Sequence, residues 1–278
     1  MLAMARFVRF PGSGKTRAAF PQRRSMRCLD MDLLIAAFIG VSVLATGFIS
    51  GAFGMAGGMI LMGALLLVLP VPTAMVLHGV TQMTSNGWRA VVWRRYADFQ
   101  VFLRFTGGLL AACALFFFVS YVPDRATVLI CLGCVPFLVM LVPPRWIPQA
   151  DRPFGAEICG FLNALLQFVA GVSGPVLDAF FIRSEFDRRT VVATKAVCQT
   201  GAHFAKLIYF LHAGNTLGGE GIHAWVFGLC ILMAVAGTTL SRSILEKLSD
   251  AQFRRWTKFI LIVIGGVYLA QGIYLLFR

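Results

Sequence analysis

Two lines of polar residues, set in an otherwise apolar chain, have the types and spacing to do chemistry. The first is His78, Thr81, Gln82, Ser85, Asn86 and Arg89, and the second is Lys195, Cys198, Gln199, His203 and Lys206. Steps of three, four and seven place each set along one face of a helix. Imidazole, amide, hydroxyl and cationic groups so arranged offer hydrogen-bond donors and positive charge, the means of replacing the water around an anion. They do not offer a nucleophile with its base. No Ser-His-Asp set and no H-E-x-x-H pattern is readable, so no enzyme is expected.

The elements that must hold these residues lie in a bilayer. Of 278 residues 58% are hydrophobic and 13% charged, with a mean hydropathy of +0.79, too little polar surface to cover a soluble globule of this size. Apolar runs near the ~20 residues that cross a membrane occur at Leu33–Phe53, Val101–Val122, Ala126–Val142, Phe154–Val172, Ile222–Leu240 and Phe259–Phe277. Pro72–Trp93 and Arg189–Leu211, which carry the two stripes, are as long and more polar. Gly58–Leu69 and Pro175–Ile182 are short. The expected fold is an all-α polytopic membrane protein of about ten membrane segments, two of them short or re-entrant. Polar groups inside such spans are costly in lipid and face the interior or a water path.

The two stripes belong to two copies of one unit. Residues 47–95, moved by 117 positions without a gap, fall on 164–212. Gly54 then meets Gly171, Gly57 meets Gly174, Thr73 meets Thr190, Val80 meets Val197 and Gln82 meets Gln199. His78 falls on Lys195 and Arg89 on Lys206. Repeats at 31–143 and 154–278, each with an odd number of segments, would enter the membrane from opposite sides and so be inverted. A hydrophobic segment interrupted at corresponding places in two halves points to a transporter's binding site.

The interruptions are Gly54-Met-Ala-Gly-Gly58 and Gly171-Val-Ser-Gly-Pro175. Glycine removes helix preference, and non-helical backbone at membrane depth is tolerated only where protein buries it or it lines a cavity. The short segment after each break starts with free N–H groups, an anion site in outline. Packing of neighbouring helices through the glycines is the competing reading. On the site reading the candidate substrate-binding residues are Gly54, Gly57, Gly58, His78, Thr81, Gln82, Ser173, Gly174, Lys195 and Gln199. Lys195 could instead snorkel to the surface, and Arg89 and Lys206 could line an anion route or anchor at the interface. Asp178 and His203 are candidates for coupling, with Asp178 also placed to pair with Lys195. Glu157 is a further acid within a span.

A net charge of +13 is explained by loop bias rather than by nucleic acid. With ten alternating segments, Arg94, Arg95, Arg145, Arg152, Arg183, Arg188, Arg189, Arg242, Lys247, Arg254, Arg255 and Lys258 fall on one side, the cytoplasmic one. The opposite loops hold Arg125 alone. Both termini are then expected outside. The basic leader at 1–30, with Arg6, Arg9, Lys15, Arg17, Arg23, Arg24 and Arg27, conflicts with this. Either the segment count is off by one, or translation begins at Met26 or Met31, which is favoured; an Arg-rich presequence is a third reading. Its Pro11-Gly-Ser-Gly-Lys-Thr16 is not a phosphate-binding loop, because the glycine required five residues before Gly14 is Arg9.

All seven cysteines but Cys28 lie inside expected spans. Cys131 and Cys134 have C-x-x-C spacing without nearby His or acidic partners, so no metal, cofactor or disulfide is expected.

The glycine-rich GAFGMAGGMILMGALLLVLPVPTAMVLHGVTQMTSN, together with AGVSGPVLDAF and KAVCQTGAHFAK, resembles the TauE/SafE permeases, the sulfite and organosulfonate exporter and toluene-sulfonate uptake group. The resemblance runs from about Leu33 to Arg278. Ala56 stands where a glycine is common in the family motif, and Ser173 and Pro175 replace glycines in the second copy. The resemblance implies an inner-membrane carrier of two repeats for a small inorganic or organic anion. The expected function is secondary transport, most simply export of sulfite or an organosulfonate by alternating access. The alternatives are uptake of sulfonate or carboxylate anions, or a membrane chaperone or assembly subunit. Oligomeric state is not readable.

Overall fold

The computed structural model describes residues 22–53, 56–181, 183–213, 223–241 and 250–278. These form ten α-helices and two short 3-10 turns, with no strand among the described residues. The helices are α1 (Gln22–Phe53), α2 (Ala56–Val68), α3 (Val71–Val92), α4 (Phe99–Val119), α5 (Arg125–Leu141), α6 (Gly155–Val169), α7 (Gly174–Phe181), α8 (Arg188–Ala213), α9 (Ala224–Leu240) and α10 (Asp250–Leu276). Among the described residues three segments are long and apolar enough to cross a membrane by themselves: Leu33–Ser50, Phe99–Val119 and Arg255–Leu276. Most expected spans coincide with helices to within a few residues. The largest differences are at α1, which starts at Gln22 rather than Leu33, and at α10, which starts at Asp250 rather than Phe259, because in each the charged stretch before the apolar run is itself helical.

The starts of the helices follow from their sequences. Asp98 caps α4 by accepting from the N–H groups of Gln100 and Val101. Asp124 caps α5 through the N–H and hydroxyl of Thr127, and Asp187 does the same for α8 through Arg189 and Thr190. Each cap satisfies donors that the first turn cannot use. These bonds hold the Asp124 and Asp187 carboxyls below the usual carboxylate range, with the Thr127 N–H and the Thr190 hydroxyl as the largest causes. Pro70 precedes α3, and Pro72 occupies its first turn, where a missing N–H costs nothing.

The helices pack in four main pairs: α1 on α9, α4 on α6, α3 on α8 and α5 on α10. Small residues let three of these pairs cross with backbones in contact. A Cβ on Gly160 would strike the Phe105 carbonyl, and one on Gly108 the Glu157 carbonyl. Gly237 meets the α1 backbone at Leu44 and Phe48, and Gly133 lies against the Gly265 carbonyl. The fourth pair, α3 on α8, runs antiparallel. Gly79 lies beside Lys206 and Leu207, Gly87 beside Thr200, and the Asp98 N–H donates to the Thr194 hydroxyl at 2.9 Å.

Loops gather at the two ends of the bundle. Arg189 reaches the Tyr96 hydroxyl at 3.1 Å and stacks on its ring. Arg183 donates to the Pro144 carbonyl, Arg152 pairs with Glu185, and the Glu185 N–H donates to Asp151. The α3–α4, α5–α6 and α7–α8 connections therefore meet at one end. Elsewhere the Tyr209 hydroxyl donates to the Tyr121 carbonyl at 2.6 Å, beside a stack formed by Phe116, Phe168 and Tyr209. The outer surface is apolar, with Leu103, Phe118, Leu141, Leu232 and Phe277 exposed. That exterior suits lipid and not water.

Candidate functional site

The stripes of α3 and α8 are buried against one another at the centre of the bundle. His78, Gln82, Asn86, Gln199, His203 and Lys206 are all 7% exposed or less. Between them lies a narrow cleft, lined by Gly58 of α2, His78, Gln82 and Asn86 of α3, Val172 and Ser173, Gly174 of α7, and Gln199 and His203 of α8. Each half of the chain supplies one wall. The lower edge is formed by the second break, where Gly171 has a φ of 75°, a conformation that L side chains rarely adopt.

His78 is fixed from both sides of its ring. Nε2 lies 2.9 Å from the Gly58 carbonyl, which can only accept, so Nε2 carries a proton. In the neutral ring Nδ1 then holds a lone pair. The Lys206 Nζ donates to it at 2.7 Å, and also to the Gly171 carbonyl at 2.9 Å. Lys206 is fully buried, and among the described residues no carboxylate lies within ion-pair distance of it. A buried ammonium held by neutral acceptors alone leaves most of its charge uncompensated, which is costly in a protein interior. His203 stands nearby, its ring centre 5.6 Å from that of His78, with Nδ1 3.1 Å from the Gln167 amide nitrogen.

Several buried polar atoms have no partner among the described residues: Ser173 Oγ, Gln199 Oε1, Gln167 Oε1, both amide atoms of Asn163, and Arg89 Nη2. Nearly all buried polar groups in proteins are hydrogen-bonded. Ser173 and Gln199 lie on the cavity wall itself. A hydroxyl rotates and a terminal amide turns over, so both can present donors to a bound acceptor. Two histidines, the unpaired Gln199 amide and Ser173 hydroxyl, and the Lys206 nitrogen behind one wall are the kind of donor set that a small anion would need.

The structure brings together Gly58, His78, Gln82, Ser173, Gly174, Gln199 and His203. The remaining expected residues that the structure describes lie elsewhere. Gly54 is outside the described residues. Gly57 is in the first turn of α2 and faces α1, where a Cβ would strike the Thr46 carbonyl and Ser50. Thr81 turns its hydroxyl onto the Leu77 and His78 carbonyls of its own helix. Lys195 is not on the cavity wall, and its ammonium pairs with Asp178. Glu157 forms a bidentate pair with Arg104 at 2.8 Å.

The geometry adds Asn86 and Lys206 from within the stripes, and Asn163 and Gln167 from α6. The last two were readable as a pair of amides four residues apart in an apolar span, a pattern that marks an inward-facing helix side. No group of three or more potential metal ligands occurs among the described residues. Cys131 and Cys134 are free thiols on α5.

No curated protein and no solved structure matches the chain. The family described as sulfite exporter TauE/SafE matches residues 38–268, a range that takes in both glycine breaks, both polar helices and the whole cavity. The chain therefore belongs to the TauE/SafE family of membrane permeases.

Proposed function

We propose that the chain is a secondary permease that exports a small oxyanion, sulfite or an organosulfonate, by alternating access around the cavity between α3 and α8. The observation that carries this reading is the concentration of unpaired donors and cationic groups at one buried point where both breaks meet. An anion there would accept from Ser173, Gln199 and His203 and would offset the charge shared by Lys206 and His78. Lys195 and Asp178 would serve as a linked pair outside the cavity rather than as ligand and proton carrier.

Two inverted repeats of five segments are part of the proposal. What supports the repeat is that exchanging α1–α5 with α6–α10 maps the packing onto itself, α1 on α9 becoming α6 on α4 while α3 on α8 and α5 on α10 are unchanged, and what supports its inversion is that the equivalent helices α3 and α8 run antiparallel. The contacts among the three Arg-bearing loops support a single cytoplasmic end, with the C-terminus on the other side. A membrane potential negative inside then favours export of whatever net negative charge crosses with the transported species, with ~2.3 kcal/mol per net charge per 100 mV.

The test is flux of radiolabelled sulfite, sulfoacetate, thiosulfate and small carboxylates in proteoliposomes of the isolated chain, measured against protein-free vesicles. Saturable flux of a sulfur oxyanion is the expected result. No flux of any of them would oppose the reading and favour a chaperone or assembly role.

A further inference from the structure

The proposed permease leaves one pair of residues with more structure than anion binding needs. Lys206 and His78 are a cation and a base in direct contact, joined across 128 residues of chain. Each is tied to a different glycine break, His78 to the Gly58 carbonyl and Lys206 to the Gly171 carbonyl. Lys206 stands behind His78, which lines the cavity while Lys206 does not.

We infer that Lys206 and His78 form a one-proton centre shared between the two halves of the chain, and that each transported anion moves together with that proton. The inference rests on the permease reading and names its coupling group. Because Nε2–H is committed to Gly58, the contact between Nζ and Nδ1 has room for a single hydrogen. With the proton on nitrogen Nζ the pair is ammonium and neutral imidazole. Transfer breaks one N–H bond of Lys206 and forms Nδ1–H on His78, leaving an amine that accepts from an imidazolium. The electron pair left on Nζ becomes the new acceptor, and the total charge stays at +1 throughout. An anion in the cavity faces His78 directly, so its approach draws the charge onto the imidazole. Departure of the anion into water removes that stabilisation and lets the proton leave to water with it. An empty centre without its proton has no buried charge and returns at low cost.

The neighbours leave this pair as the exchangeable cation of the cavity. On α3 the other charged group is Arg89, bonded to Asn86 at 3.2 Å and unable to release a proton. On α8 they are His203, held by Gln167, Lys195, which is paired with Asp178 of α7, and, at the two ends of the helix, Arg188, Arg189 and His212. Arg104 of α4 and Glu157 of α6 are paired with each other. The segments Ala56–Val68 and Ala224–Leu240, which pack on α3, contain no His, Lys, Arg, Asp or Glu.

Two measurements test the centre. In the ligand-free protein, nitrogen NMR of labelled histidine, assigned with His78→Gln, should show His78 as the Nε2–H tautomer when neutral, and its titration should lose its normal form in Lys206→Met. A His78 signal with the opposite tautomer, or one that titrates identically in parent and Lys206→Met, would overturn the inference. In proteoliposomes with the potential clamped, a gradient of methanesulfonate or isethionate, both ionised throughout, should move protons in the direction of the anion, one for one, as read by an entrapped pH dye. Lys206→Arg keeps a cation that cannot give up its proton, so any flux that survives in it should carry none. Anion flux in the parent without proton movement would overturn the inference while the permease reading stands. Absence of anion flux in the parent would refute the permease reading, and the histidine measurement would then decide the centre by itself.

Discussion

Lys206 Nζ lies 2.7 Å from His78 Nδ1 and 2.9 Å from the Gly171 carbonyl, so one ammonium joins the polar face of α3 to the second glycine break. Its equivalent under the 117-residue offset, Arg89, sits at the far end of α3, beside Asn86. The two cationic positions therefore have different surroundings, and they should differ in function.

Lys195 and Lys206 separate by mutation. Lys206→Met should abolish anion binding. Lys195→Met removes an ion pair whose acid, Asp178, is 37% exposed, so its cost should be about 1 kcal/mol of stability with binding largely kept. Thermal unfolding and equilibrium binding on both variants check this.

The adjacent glycines of the first break should behave oppositely. Gly57→Leu forces a side chain into the α1 backbone at Thr46 and Ser50, with a loss of about 1–3 kcal/mol or more from overpacking and poor recovery of folded protein. A Cβ on Gly58 would sit 3.5 Å from the Gln82 amide, an ordinary contact. Gly58→Ala should therefore fold normally and weaken anion binding, and size-exclusion profiles beside binding curves distinguish the two.

The proposed sidedness rests on the loop charges, and the contacts of Arg189 with Tyr96 and of Arg183 with Pro144 put those loops at one end. A reporter fused after Arg278 should be outside the cytoplasm, and one inserted between 242 and 249 should be inside. A cytoplasmic C-terminus would contradict the proposed ten-segment arrangement.

The helix caps give a pH dependence. The folded Asp124 and Asp187 carboxyls are held below their ordinary range, so their stabilisation is present above the unfolded value of ~3.9 and is lost as pH falls through the lower folded value. Asp124→Ala should cost about 0.5–2 kcal/mol at neutral pH, and the difference from the parent should vanish in strong acid. Thermal unfolding across pH 2–7, an interval of about five units around those values, measures it.

The sequence made the breaks and stripes legible because glycine runs and polar residues are conspicuous in apolar segments. It located Gly58, His78, Gln82, Ser173, Gly174, Gln199 and His203, which line one cavity. It could not separate Gly57 from Gly58, since neighbours on a helix differ by about 100° in direction and only the position of α1 decides which faces it. The offset that aligns His78 with Lys195 expresses equivalence and not contact. In the antiparallel crossing of α3 on α8, the residue that meets His78 comes from the other end of its helix, and that is Lys206. Asn163 and Gln167 are legible only as two amides four residues apart, a faint signal in a span that is otherwise almost wholly apolar.

The most direct test of the central claim is equilibrium binding of radiolabelled sulfite to the purified protein, with Lys206→Met and Gln199→Leu measured beside the parent. The account predicts saturable binding by the parent, none by Lys206→Met, and clear weakening by Gln199→Leu, with all three folded to the same extent. Binding of sulfite by Lys206→Met with the parent's affinity would contradict it.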